Sequence, residues 1–257
     1  MPAHGTRDSE LVYVYGVVPA GSDVAIAEPG VAGQRVELLE HDGVAAVVSS
    51  FPADDPRVRR SDLVAHLRAL ERVFEQATVA PCPFGTVIGS RRGVEEEFLA
   101  PRREELRRLL ARLDGHVQMN VKAEYDEDGL LREIVSEDRE VAAARRRAQE
   151  LGSAAYYENI RLGELIAERI AQKRAVDAER VAARLSPHAA DFAPDFGDRS
   201  ELLAFKGSFL VRRAQSAAFD AALEELARTD GERLRFEAIG PLPPTAFATL
   251  EGESAWA

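Results

Sequence analysis

The 257 residues carry 33 basic and 44 acidic side chains, a formal net charge of −11, with 46% hydrophobic and 30% charged residues, a globular balance. Both parts of the chain are acidic, with 14 arginines against 17 acids up to Leu113 and 19 basic residues against 27 acids beyond it, so a nucleic-acid surface would work against the field of the whole molecule. A single cysteine, Cys82, rules out a disulfide framework and a cysteine-cluster zinc site, no run approaches the ~18–20 apolar residues of a membrane helix, and the polar start MPAHGTRDSE lacks the apolar core of a signal peptide, so a reducing cytoplasm is expected.

Leu11 to Val18 (LVYVYGVV) is β-branched and aromatic, the composition of a buried strand. Two further strand-like runs cover 35–40 and 44–50. His41-Asp42-Gly43 between them is a tight hairpin turn in which Gly43 tolerates positive φ. A loop is expected from Pro52 to Pro56. Ser61 is placed to cap a helix to about Ala77, with Leu63, Leu67, Leu70, Val73, Phe74 and Ala77 on one apolar face. Val79 to Ile88 is extended and punctuated by proline. A second helix is expected over 94–113, kinked or begun at Pro101 and stopped by Asp114-Gly115. His116 to Tyr125 alternates apolar and polar residues, the cleanest period-2 signal in the chain. Asp126 to Gly129 reads as a turn. Helices are expected over 137–150 and from about Ala154 to Leu185, with Gly152-Ser153 between them. Residues 186–200 are irregular or a short edge strand. A strand over 201–212, a helix from Gln215 to Arg228, a strand from Leu234 to Ile239 and a proline-rich tail from Gly240 complete the chain.

The second half therefore runs strand, helix, weak strand, strand, helix, strand, the order of a split βαβ, ferredoxin-like unit with a long helix. The first half is also α+β. The fold class is α+β in two domains, an N-terminal one over 1–113 and a C-terminal ferredoxin-like one over 114–257 that includes the proline-rich tail.

The residues offer little catalytic chemistry. Gly85-Thr86-Val87-Ile88-Gly89-Ser90 lacks the lysine of a phosphate loop, and Lys206-Gly207-Ser208 has that chemistry reversed and inside a strand. None of His4, His41, His66, His116 and His188 stands at a zinc-ligand spacing. The acids at 126–128 are consecutive, whereas a calcium loop alternates its ligands. Cys82 has no basic neighbour in sequence and reads as a buried structural thiol. The arginine runs at 59–60, 91–92, 102–103 and 145–147 are interleaved with acids, as in salt-bridged helical faces. No enzyme, cofactor or metal is expected.

Four segments in order resemble the gas vesicle protein F/L family (GvpF/GvpL). They are the strand Leu11 to Val18, the segment Pro81 to Gly89 (PCPFGTVIG), the helix start Gly152-Ser153-Ala154-Ala155-Tyr156-Tyr157, and the closing Gly240-Pro241-Leu242-Pro243-Pro244-Thr245-Ala246-Phe247. Leu242 and Thr245 stand where the family often has Trp and Tyr, and the Ser-Gly order is inverted at Gly152-Ser153. The resemblance spans roughly 11–250. It implies two α+β domains, the C-terminal one ferredoxin-like. It also implies an accessory role in gas vesicle assembly for buoyancy, in which the protein binds the hydrophobic shell protein or other vesicle proteins in the cytoplasm or at the vesicle. No nucleic acid and no membrane are implied as partners, and the F-type and L-type paralogues are not distinguished.

A subunit bound for a gas-facing wall exposes apolar surface that a groove or an open sheet edge could cover. The N-terminal strand and the strand around Phe205 to Val211 are the expected edges, with Leu11, Tyr13, Tyr15, Phe205 and Phe209 as partner-binding candidates. These same side chains also read as ordinary core. Phe247 is either a docking arm or packs across its own domain. The competing function is a small-ligand-binding regulatory protein that uses the ferredoxin-like sheet.

Overall fold

The computed structural model describes residues 11–52, 59–197, 200 and 202–249. The polar N-terminus and most of the loop expected from Pro52 to Pro56 lie outside the described residues. The chain divides into two compact units, Met1–Gln118 with Pro241–Ala257, and Met119–Gly240. The expected boundary at Leu113/Asp114 thus differs from the division, which falls within one unbroken strand, and the tail groups with the first unit.

The first unit contains β1 (Leu11–Pro19), β2 (Glu37–His41), β3 (Val44–Phe51), α1 (Arg60–Gln76), β4 (Ala80–Pro81), β5 (Val87–Ile88), α2 (Arg91–Gly93) and α3 (Ala100–Leu113). Its sheet has the order β2-β3-β1-β4, with β5 also on β1. Every residue from Val12 to Val18 is buried, because β1 is a central strand covered on both faces. Tyr13, Tyr15 and Val18 share a core with Val47, Phe51, Leu70 and Val73, while α3 packs on β1 as well. The β2–β3 hairpin turns at Asp42 and Gly43, both at positive φ (44° and 90°), as anticipated for Asp-Gly.

Two helices differ from expectation. In α1 the buried face is His66, Ala69, Leu70 and Val73, leaving Leu63 and Leu67 in solvent. The helix begins at Arg60 rather than after Ser61, because the Asp62 carboxylate accepts the Arg59 N–H at 2.8 Å. Pro101 lies in the first turn of α3, at the start expected for it, but the helical run begins earlier. A π-helical turn, Val94–Leu99, precedes it. Proline has no N–H to offer the preceding turn, and the Arg102 guanidinium donates to the Glu97 carbonyl instead (3.2 Å).

The second unit is built around β6 (His116–Tyr125), α4 (Glu127–Glu137), α5 (Arg139–Leu151), α6 (Tyr156–Leu185), β7 (Asp191–Pro194), β8 (Leu203–Arg212), α7 (Ser216–Asp230) and β9 (Leu234–Leu242). Its sheet order is β7-β8-β6-β9. The chain is therefore α+β, with two antiparallel sheets. Asp126 to Gly129, read as a turn, is a helix start: the Asp126 carboxylate accepts the Gly129 N–H (2.8 Å), and Asp138 caps α5 in the same way. Phe192 of the edge strand β7 stacks on Phe205 and Phe209. Gly207 makes room for that ring, since a Cβ there would lie 3.2 Å from the Ala193 carbonyl and closer still to Phe192. Lys206 pairs with Asp195 at 3.0 Å, so the Lys-Gly-Ser run has a structural use.

Phe209 is fully buried between Phe192, Phe205 and Phe219. Phe209→Ala is expected to cost about 3–5 kcal/mol, read as a lower urea midpoint at unchanged slope.

Candidate functional site

The first unit holds a cluster of buried aromatic and polar side chains around β1. The Tyr13 hydroxyl lies 3.0 Å from His66 Nδ1 and accepts the Gly85 N–H at 2.9 Å. The Cys82 backbone also hydrogen-bonds the imidazole. Burial holds the His66 imidazole down at about 4, against an ordinary 6.5, so it stays neutral. The Tyr15 hydroxyl meets Ser49 Oγ (3.0 Å) and accepts the Val31 N–H (2.7 Å). Burial raises both tyrosine hydroxyls and the Cys82 thiol well above their usual ranges. Nothing in this cluster is poised to attack: the imidazole is neutral and held between hydrogen-bond partners, and the thiol is a buried neutral group. The cluster's effect is to fix the Pro81 to Ile88 segment against β1.

The second unit holds an ionic cluster. Arg233 forms a two-pronged bond to Asp177 (2.7 Å on each arm), which also accepts from the Tyr125 hydroxyl (2.7 Å) and from Arg180 (3.0 Å). Burial pushes the Asp177 carboxyl up, yet the bonds from Arg233 and Tyr125 outweigh it and hold it below the usual carboxylate range. Arg180 also bonds both oxygens of Asp230 (2.7 Å), and Lys173 bridges Glu133 and Glu137 (2.7 Å each). A cleft of about 340 Å³ is lined by Glu133, Gln172, Lys173, Val176, Asp177 and Arg233. Its charges are already paired with each other, which suits a structural clasp better than a ligand site.

Apolar surface lies elsewhere. On α1, Leu63, Val64 and Leu67 are exposed. At the corner where α5 meets α6, Tyr156 is 69% and Tyr157 82% exposed, and Leu151 and Ile160 are also exposed. The two tyrosine rings stand edge to face, 5.4 Å apart.

The sequence matches the family model "Gas vesicle synthesis protein GvpL/GvpF" over residues 11–249. The chain belongs to the GvpL/GvpF family. It is 31% identical over 238 residues to Gas vesicle protein F of Streptomyces sp. (strain CB03234), covering 91% of this chain and 98% of that protein. The identity to Gas vesicle protein F of Microcystis aeruginosa (strain PCC 7806) is 24% over 242 residues, or 93% and 98% of the two chains. The crystal structure of GvpF from Anabaena sp. PCC7120 has the same fold, with a TM-score of 0.82 at 22% identity over 95% of this chain and 100% of that one.

Each segment that carries the GvpF/GvpL resemblance has a definite place. Pro81 to Gly89 is the segment pinned by Tyr13. Gly152 to Tyr157 is the exposed α5–α6 corner. Gly240 to Phe247 continues β9 and then turns. There Gln118 Oε1 accepts the Ala246 N–H (2.8 Å) and Phe247 is buried, so the tail packs rather than projects.

The partner-binding candidates are placed as core. Tyr13, Tyr15, Phe205, Phe209 and Phe247 are buried, and Leu11 is partly buried. β1 and β8 are interior strands, not edges; the outer strands are β2 and β4 in one sheet and β7 and β9 in the other. The exposed tyrosines could have been noticed in the sequence. Adjacent helical residues point about 100° apart, so Tyr156 and Tyr157 cannot both turn into one narrow buried stripe.

The neutral imidazole gives a pH dependence. In the unfolded chain His66 takes up a proton near 6.5, while in the fold it resists until about 4. Its contribution is complete above 6.5 and is lost as pH falls from there through 4, about 3 kcal/mol in all. Urea midpoints of the native chain should fall over that window, and His66→Gln should remove that step while lowering the midpoint at neutral pH.

Proposed function

We propose that this chain is an accessory protein of gas vesicle assembly that works in the cytoplasm by binding the hydrophobic shell protein or another vesicle protein. The supporting observation is the exposed Tyr156-Tyr157 pair, flanked by Leu151 and Ile160, on a chain of net charge −11. Exposed aromatic clusters of this kind are characteristic of contact sites, since they bury large area at small entropic cost. The acidic remainder favours solubility while an apolar partner is held. Leu63, Val64 and Leu67 of α1 offer a second apolar surface. Under this reading Leu11, Tyr13, Tyr15, Phe205, Phe209 and Phe247 act indirectly, by holding the sheets together. The strand order β7-β8-β6-β9 supports a ferredoxin-like reading of the second unit, with the long helix α6 carrying the tyrosines at its start.

Co-expression pull-down with the shell protein tests the proposal. Tyr156→Ala with Tyr157→Ala should reduce capture at least tenfold while leaving the melting temperature unchanged, since neither ring is buried. Undiminished capture by this double variant would remove the α5–α6 corner from the account.

A further inference from the structure

Among the described residues β9 is an outer strand bonded only to β6. An uncovered edge presents a row of free backbone donors and acceptors that invites another strand. The Asp126 N–H donates to the Arg233 carbonyl (3.0 Å), so Arg233 faces β6. By alternation Arg235 and Glu237 bond inward, and the backbone groups of Leu234, Phe236 and Ala238 point outward. On the side-chain level Arg235, Glu237 and Ile239 share one sheet face, and all three are exposed. Among the described residues, Arg235 and Glu237 have no ion-pair or hydrogen-bond partner.

These features choose an occupant. We propose that β9 pairs with β9 of a second copy of this chain, antiparallel and centred on Phe236, so that the two sheets continue into one. A two-fold axis through the sheet keeps like faces together, so only residue-centred registers are open. Centring on Phe236 sets Arg235 against Glu237 of the partner copy and Glu237 against its Arg235, giving two cross-strand ion pairs on one face. The half-buried Phe236 meets its own copy on the other face. Centring on Glu237 opposes two carboxylates, and centring on Arg235 opposes two guanidinium groups, both unfavourable. The pairing uses the outward backbone groups of Leu234, Phe236 and Ala238, which no described strand engages. It does not depend on the vesicle-assembly reading.

Sedimentation equilibrium on the full chain tests this. The native protein should show a concentration-dependent monomer–dimer equilibrium. Arg235→Glu and Glu237→Arg, each at an exposed position and expected to fold normally by circular dichroism, should each weaken dimerisation about tenfold or more. The double variant Arg235→Glu/Glu237→Arg should recover dimerisation to within about threefold of native, because the cross-strand pairs are re-formed with signs exchanged. A native chain that stays monomeric at its highest soluble concentration would overturn the proposal and leave the edge to a different protein. So would a dimer that ignores both single reversals, since it would be built on another face.

Discussion

The first unit rests on keeping two phenols and an imidazole dry at the centre of a sheet. A buried polar group without a partner costs on the order of 1–3 kcal/mol. Here each finds one: Tyr13 between His66 and the Gly85 amide, Tyr15 between Ser49 and the Val31 amide. Three segments distant in sequence are thereby tied to one strand. They are the turn at Val31, the helix α1 through His66, and the proline-punctuated run ending in β5. Because the partners are specific atoms, the arrangement selects one register for a segment with only two short strands of its own, Ala80–Pro81 and Val87–Ile88.

In the second unit the comparable fixture is charged. Asp177, Val181 and Leu185 anchor the C-terminal half of α6 in the core, and Arg233 and Tyr125 clasp Asp177 from β9's entrance and β6's end. Removing Arg233 would take the two-pronged bond from a buried carboxylate and leave it to Arg180 and the Tyr125 hydroxyl. The first turns of α6 contain no buried residue and pack chiefly on α5. The helix is thus firmly held at one end and presents Tyr156, Tyr157 and Ile160 to solvent at the other.

Much of this was legible in the sequence. Seven consecutive buried residues in β1 follow from its β-branched and aromatic composition, and the alternation of 116–125 gave β6 to the residue. What the composition could not say is which strand lies at an edge. The N-terminal strand and the strand around Phe205 to Val211 are the expected edges, whereas their richness in Val, Phe and Tyr is what a central strand needs on both faces. Two of the outer strands, β2 and β9, carry Glu37, Glu40, Arg235 and Glu237, a charge-protected pattern. In α1 the spacing of Leu63, Leu67, Leu70 and Phe74 was sound as a helical stripe, but the buried stripe is offset from it because His66 is drawn inward by Tyr13. A tertiary hydrogen bond of that kind leaves no periodic trace. Consecutive acids resemble a turn, yet Asp126 as a cap and Glu127 and Asp128 in the first turn are equally the start of a helix, and α4 begins there.

The central claim is that this GvpL/GvpF-family chain meets vesicle proteins through apolar side chains already at its surface, and that its β1 and β8 aromatics serve the fold alone. Amide hydrogen exchange, recorded for the chain alone and with the shell protein, addresses this directly. The account predicts new protection around residues 151–160, with β1 and β8 equally protected in both states. Unchanged exchange at 151–160, with new protection confined to β1 or β8, would contradict it.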